Sequence, residues 1–350
     1  MRIELATTWD QLTCEAEAWN RLVRNGDNPS IFLTWEWLSS WWEAYGAGRE
    51  LLFLLAYSDS DLIGIAPFYR DPSSTPSRLR LVGDGTYDSD NLGVIGPVAG
   101  ELLGWLEANR RGWTVLQLRS LPDDSLARTL RDQGWVVFAR SRPHPVLELP
   151  SAWEDYLKML SANQRSVINR RLRKLERACL RRCEGEVQHW LDLLFDLHAR
   201  RWQLRGQPGA FAFPGRQELF RKVADRFLLR GWLDFWMLEI DGCPASLEFG
   251  FSFEGTYCFL QSAFEPKFEE QGAGVALKAL VIQQLITRGI KRYDFLSGDE
   301  AYKSRWGTRN LDYVDVTCAP GLSLGAAYVA LRGAAHKSGR WLRQVLPAGA

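Results

Sequence analysis

One order of elements occurs twice along this chain, and it narrows the available folds more than any other feature. LLFLLAYSDSDLIGIAPFYR places two apolar runs around a polar SDSD turn, the pattern of a β-hairpin. LDFWMLEIDGCPASLEFGFSFEG does the same around Asp241-Gly242, a dipeptide suited to a tight hairpin turn. Each hairpin is followed by more strand-like sequence and then by a helical segment closing on Arg-Gly, ELLGWLEANRRG in one half and VALKALVIQQLITRG in the other. Each half then enters a short strand, WTVLQLRSLP or IKRYDFLSG. Hairpin, helix and strand, in that order and twice, predict an α/β chain with a central mixed β-sheet in each half, flanked by helices.

The seam is expected near SRPHPVLELPSAW, where Pro143, Pro145 and Pro150 oppose a continuous helix. That gives a first domain over 1–148, a second over 149–320, and a small basic helical tail over 321–350. Beyond the seam, WEDYLKMLSANQRSVINRRLRKLERACLRRC reads as strongly helical. Ile168, Leu172, Leu175 and Cys179 fall on one apolar stripe. Arg165, Arg170, Arg171, Arg173, Lys174, Arg177, Arg181 and Arg182 make the remainder basic.

A net charge of +1 gives no global pull toward nucleic acid or membrane, so any such affinity has to be local. The six cysteines form no CxxC pair and no zinc-like alternation with histidine, which predicts spectator thiols. His144, His189, His198 and His336 are too dispersed for a local metal motif, so no metal is expected. MRIELATTWDQL lacks the apolar region of a signal peptide. No run approaches the ~20 apolar residues of a membrane span. A cytoplasmic protein is the expectation.

The chemistry concentrates in QGAGVALKAL, where Gly272 and Gly274 precede a helix. The first amides of a helix have no internal partner, and its dipole places partial positive charge there. A phosphate satisfies both if side chains leave room for it, and glycine supplies that room. Val275, Leu277, Leu280, Val281 and Leu285 would anchor the helix on a sheet. The stretch is not a P-loop, since no Gly-Lys-Ser/Thr follows, and it lacks the third glycine of a dinucleotide fingerprint. Paired glycines before a helix are also ordinary turn residues.

In this context EEQGAGV resembles the phosphate-binding signature of the GNAT acyl-CoA transferase superfamily, Gln/Arg-x-x-Gly-x-Gly/Ala between a central strand and a helix. RGIKRYDFLSGDEAYKSRWG, LHARRWQLRGQPGAF and NQRSVINRRLRKLER resemble its CelD/BcsL-like branch, the BioF2-like acetyltransferase domain, and cover most of residues 150 to 316. The first half, with WEWLSSWWEAYG, resembles a degenerate leading GNAT unit. The resemblance implies two tandem GNAT-like domains, an acetyl-CoA or other acyl-CoA donor as co-substrate, and an amine or hydroxyl acceptor. It places Gln271, Gly272, Ala273, Gly274 and Val275 around the donor's diphosphate. The signature's Gln/Arg position is Glu269 here, so either Gln271 and backbone amides do the cradling or the donor is held in another way.

Acyl transfer needs a deprotonated nucleophile, donors for the tetrahedral oxyanion, and a proton or positive field for the departing thiolate. Tyr302 stands where the resemblance places the tyrosine that protonates the sulfur; otherwise it is a helix-face aromatic packed on the core. Asp294, in the apolar strand KRYDFLSG, is either a base acting through water or an anchor for a nearby amide. Glu248 is a base or, if it points outward, a solvated hairpin charge. His198 is a proton carrier or a packing histidine, and Gln261 could orient substrate. Lys303 and Arg305 could meet the donor phosphates or an acidic acceptor, and Trp202 and Trp306 either stack a sugar ring or pack in the core. Asp84, Asp88 and Asp90, in GDGTYDSDN, form a turn or line an acceptor cleft, and do not fit a calcium loop.

The leading expectation is an acyltransferase whose acceptor, by resemblance, is tied to exopolysaccharide or surface-glycan production. A second is a FemABX-like transferase, a class that also pairs two GNAT-like units but takes aminoacyl-tRNA, with the basic 165–182 segment following the RNA. A third is a non-catalytic GNAT scaffold on a membrane-associated synthase, touching an acidic membrane through Arg332, Lys337, Arg340 and Arg343.

Overall fold

The computed structural model describes residues 1–345 apart from Tyr87, Glu176 and Asp299, and leaves the side chains of 13–15 and 337–345 outside the description. Lys337, Arg340 and Arg343 therefore lie outside the described side chains, as does Cys14. The chain divides into two compact units, one of residues 1–42, 46–142 and 312–350, the other of 43–45 and 143–311.

In chain order the first unit begins with β1 (Arg2–Ala6), α1 (Ala16–Arg24) and α2 (Trp35–Tyr45). The hairpin β2 (Glu50–Ser58) and β3 (Asp61–Asp71) follows, then β4 (Arg78–Leu81), α3 (Ala99–Ala108), β5 (Val115–Leu121) and α4 (Ser125–Asp132). The strand β6 (Val136–Glu148) leads into the second unit, which holds α5 (Trp153–Met159), α6 (Ala162–Arg173), β7 (Ala178–Arg182), α7 (Val187–Gln203) and α8 (Arg216–Leu229). Its hairpin β8 (Leu233–Ile240) and β9 (Cys243–Phe253) is followed by β10 (Thr256–Phe264), α9 (Ala273–Thr287), β11 (Arg292–Asp294) and α10 (Ala301–Ser304). The chain ends with β12 (Arg309–Ala319) and α11 (Leu324–Val345).

The expected repeat is present. In the first unit β2, β3 and β4 run antiparallel in sequence, and β4 pairs β5 in parallel across the α3 crossover. In the second, β8, β9 and β10 repeat that arrangement and β10 pairs β11 in parallel across α9. Asp241 and Gly242 both have positive φ, 51° and 73°, as a two-residue hairpin turn matched to strand twist requires.

Three expectations need correction. The seam falls at 142/143 rather than 148/149, inside a strand that accommodates Pro143 and Pro145; the Pro145 carbonyl still accepts the Phe295 amide at 3.2 Å. The tail is no separate segment. β12 pairs β5, with Thr317 opposite Gln117, and Val329 of α11 packs with Val115 and Ala319 of the first unit. The long helix expected over 153–183 is instead α5, α6 and the strand β7. Ile168 is core and Leu172 and Leu175 pack against it, but Cys179 is exposed on the strand. Arg181 and Arg182 hold that strand to Glu239 at 3.0 Å and Asp234 at 2.8 Å, so the basic stripe stops at α6.

In the first unit Trp19, Trp37 and Trp41 are fully buried. The Trp37 and Trp41 indoles donate to Ser89 at 2.9 Å and Thr86 at 3.0 Å, pinning the loop whose Asp84, Asp88 and Asp90 are themselves buried. In the second unit, α9 is apolar on most of its circumference and lies in the core, as such a helix must. On the face toward α7 and α8, Phe249 meets Phe220 at 5.0 Å and Phe235 at 5.1 Å. Phe249→Ala removes the centre of that cluster and is expected to lower stability by about 3–5 kcal/mol. Urea unfolding reads the difference, and a loss near zero would show that the cluster collapses around the gap.

Candidate functional site

The second unit opens where two parallel strands part. β10 and β11 are paired only at Thr256↔Arg292, Tyr257↔Tyr293 and Cys258↔Asp294, while β10 continues to Phe264. Between Phe259 and Gln261 its register with β9 shifts, a bulge that re-aims the strand. Past Cys258 the β11-facing edge of β10 pairs with no strand among the described residues. The opening lies at the carboxyl ends of the parallel pair, where α/β sheets present ligands. Gln261 is half-buried on this part of β10.

α9 starts at the same end. Gly272 caps it at φ +74°, a conformation glycine adopts without strain. Its amide bonds to the Glu269 carbonyl at 2.9 Å, and the amides of Val275 and Ala276 both turn back to the Gly272 carbonyl at 3.0 Å. The chain thus caps part of the cradle itself. Two donors, the amides of Ala273 and Gly274, have no partner among the described residues. Gln271 and Glu269 are exposed. Arg171 of α6 lies over this end: a Cβ at Gly272 would stand 2.5 Å from its Nε. Its Nη1 donates to the Glu270 carbonyl, and its Nε is buried without a partner. A guanidinium beside the positive end of a helix is unfavourable until an anion joins them.

Beneath the opening lies a buried charge network. Glu248 is 1% exposed and accepts from Lys278 at 2.7 Å, Tyr293 at 2.7 Å and Tyr257 at 3.0 Å. Lys278 also donates to Tyr293 at 2.6 Å and lies 3.6 Å from the centre of the Phe259 ring. Burial lowers the lysine and, with Glu248, raises both phenols well above their ordinary range. Glu248 is therefore no solvated hairpin charge, and its carboxylate is occupied.

Asp294 faces His144 at 2.7 Å and accepts the Leu296 amide at 2.7 Å, so it anchors the turn after β11. Ser297 Oγ lies 3.5 Å from the other ring nitrogen of His144. Lys303 is buried and donates to the carbonyls of Leu296 and Ser297, each at 3.1 Å, and to Glu300 at 2.8 Å. It braces this loop and is no free cation for a phosphate. Tyr302, one residue before, is 38% exposed. Burial, then Glu300 and Glu248, raise its phenol, which keeps it protonated near neutrality.

Other candidates are elsewhere. Trp306 is core, its carbonyl accepting from Tyr156 at 3.2 Å, so it stacks no sugar. His198 is 3% exposed and accepts the Trp202 indole N–H at 2.9 Å, while burial, with Arg216 and Arg201, lowers it to about 4. It is a packing histidine. In the sequence Lys278 has no assigned role, His144 counts only as too dispersed for a metal motif, and Arg171 only as part of the basic segment that could follow RNA. A lone lysine inside the apolar run VALKAL is the signal that could have marked the first. Among the described residues, no cluster of three or more His, Cys, Asp or Glu could hold a metal, and no helix is long and apolar enough to cross a membrane.

Residues 162–304 match the model of an acetyltransferase (GNAT) domain. No curated protein matches the chain in sequence. Among solved structures, FemX superposes at 11% identity and a TM-score of 0.66, over 95% of this chain and 99% of that one. A conserved protein of unknown function from Bacteroides thetaiotaomicron VPI-5482 does so at 12% and 0.63, over 91% and 99%. L-PGS from Bacillus licheniformis does so at 12% and 0.50, over 85% and 95%. With the duplicated strand order, these make the chain an α/β protein of two tandem GNAT-like domains, each a mixed sheet flanked by helices.

Lys278→Met leaves Glu248 buried without its cation and is expected to destabilise by about 3–5 kcal/mol; adding Glu248→Gln restores most of it. Denaturant titration of the three proteins tests this, and a double variant no better than the single removes the pairing as the cause. The unfolded chain protonates His198 near 6.5 and the folded one near 4, so stability is full above that window and falls as pH drops through it. His198→Gln keeps an acceptor for Trp202 and should flatten the slope of melting temperature against pH there. An unchanged slope assigns it to another group.

Proposed function

We propose that the second unit transfers an acyl group from acyl-CoA to an amine or hydroxyl. The observation that carries this reading is the pair of unpartnered amides at Ala273 and Gly274, under Arg171 and beside the open edge of β10. The amides and the guanidinium suit the donor's diphosphate. The open edge suits its extended amide-bearing arm, which would add to the sheet as a strand does. The acceptor attacks the thioester carbonyl, the C–S bond breaks, the thiolate takes the proton that Tyr302 holds at neutral pH, and the proton lost by the acceptor passes through water to restore the phenol. Asp294 and Lys303 serve by fixing the loop that carries Tyr302. Gln261 is the half-buried polar side chain left to orient substrate.

The CelD/BcsL-like, BioF2-like assignment and a cytoplasmic setting belong to this reading. A sugar acceptor finds little support, since Trp306 is core and the Trp202 indole is bonded to His198.

The second reading, an aminoacyl-tRNA donor, is favoured by the likeness to FemX over nearly the whole chain and by exposed Arg170, Arg173 and Lys174 on and after α6. The two readings share the acyl chemistry and differ in the carrier. Titration calorimetry with acetyl-CoA and, separately, with aminoacyl-tRNA at low salt divides them. The first predicts heat with acetyl-CoA that Gly274→Arg abolishes, because position 274 lacks a positive φ, a Cβ there meets only Phe264 at 3.5 Å, and the long side chain would cover the free amides. Tyr302→Phe should then lower kcat by about 100-fold with donor affinity unchanged. Heat with the tRNA alone, weakening steeply with salt, would select the second reading. Heat with neither would end both.

A further inference from the structure

The first unit holds a polar cavity that acyl transfer does not use, and strand parity builds it. Gln117 and Arg119 stand two apart on β5, and Arg140 and Arg142 two apart on β6; β12, between those strands, carries Asp315 and Thr317. Side chains two apart share a face. Thr317 is in register with Gln117, and a bulge at Asp315 turns its carboxylate to accept the Ser120 amide at 3.1 Å. α11 lies over this face, with Arg332 and His336 one turn apart. His336 meets Phe138 edge-on at 5.4 Å, and Gly333 leaves room for that ring. These residues line a cavity of about 460 Å³.

Its charges are not balanced from within. Asp315 is the one carboxylate in the lining, 3.5 Å from Arg140 and 3.8 Å from Arg142. Arg119 approaches Asp84 only at 4.0 Å, and Arg332 reaches the Tyr328 hydroxyl at 3.3 Å. Four guanidiniums against two carboxylates, Asp315 in the lining and Asp84 beside Arg119, leave an excess of positive charge that an anion relieves. At the floor Gln117 is 5% exposed and its Oε1 is buried without a partner. A buried acceptor left unbonded is costly, and an O–H or N–H carried by the ligand recovers that loss by donating to it.

We propose that this cavity binds a small diphosphate-bearing molecule. The excess of positive charge matches two or three negative charges, and the planar guanidinium fork matches phosphate oxygens. Gln117 and Thr317 are too deep for a polynucleotide backbone lying on the surface, and the Phe138 and His336 rings leave an aromatic wall for whatever the diphosphate carries.

Titration calorimetry of the full chain with inorganic pyrophosphate tests this. Binding is expected at one site that Gly274→Arg leaves in place. Arg119→Gln/Arg142→Gln should weaken it about 100-fold, about tenfold for each fork removed. If that variant fails to fold by circular dichroism, Arg119→Lys/Arg142→Lys replaces it, keeping the charge and losing the fork, with an expected loss of about tenfold. Absence of binding, or binding lost in Gly274→Arg and kept in the arginine variant, overturns the proposal. So does a tRNA complex that the arginine variant abolishes while pyrophosphate gives no heat, which would assign this face to nucleic acid.

Discussion

The second unit is organised around a buried ion pair. Glu248 stands on β9, Lys278 on α9, Tyr257 on β10 and Tyr293 on β11, so four elements meet in one set of hydrogen bonds. Apolar packing alone would let α9 slide along the sheet by small steps, since many arrangements bury similar area. A carboxylate and an ammonium in the core allow no such drift, because a lost contact leaves a charge uncompensated in a poorly polarisable medium. Phe259 adds its ring face to the ammonium. Fixing α9 in this way also fixes its first turn, and with it the two free amides of Ala273 and Gly274.

The free amides at the start of α9 are fewer than the five contiguous residues of the expected cradle. Closing the first turn on the Gly272 carbonyl uses Val275, and the Gly272 amide is used by Glu269, which leaves two donors. Arg171 makes up for that. It arrives from α6, and a side chain at position 272 would exclude it, so glycine there serves both the left-handed cap and the approach of the guanidinium. Glu269, the departure from the signature, is exposed. Tyr302 is separately positioned: Asp294 and Lys303 tie the loop before it, and burial keeps its proton in place.

Two units with one plan place their polar groups differently. In each, a helix crosses between parallel strands paired over three residues, β4 with β5 and β10 with β11. In the second unit that crossover helix begins with glycine and free amides. In the first, α3 begins after Val98, and the polar investment is instead on the face under α11, where Arg119, Arg140, Arg142 and Arg332 gather. Duplicated folds diverge readily in this way, since sheet and crossover need only the apolar pattern, while sites need particular side chains.

By itself the sequence determined what short-range physics controls. Hairpins followed from alternation and from Asp241-Gly242, the crossover helices from apolar periodicity, and the Gly272 helix start from residues adjacent in the chain. Tertiary structure alone decided matters that depend on residues far apart. It placed the arginines after α6 on a strand, because Glu239 and Asp234 were there to pair with them. It put β12 and α11 with the first unit, made Glu248 a core ion rather than a surface charge, and brought Arg171 over Gly272. Local sequence specifies which backbone conformations are cheap, whereas a side chain's charge, burial and partner are set by whichever distant segment the packing brings against it.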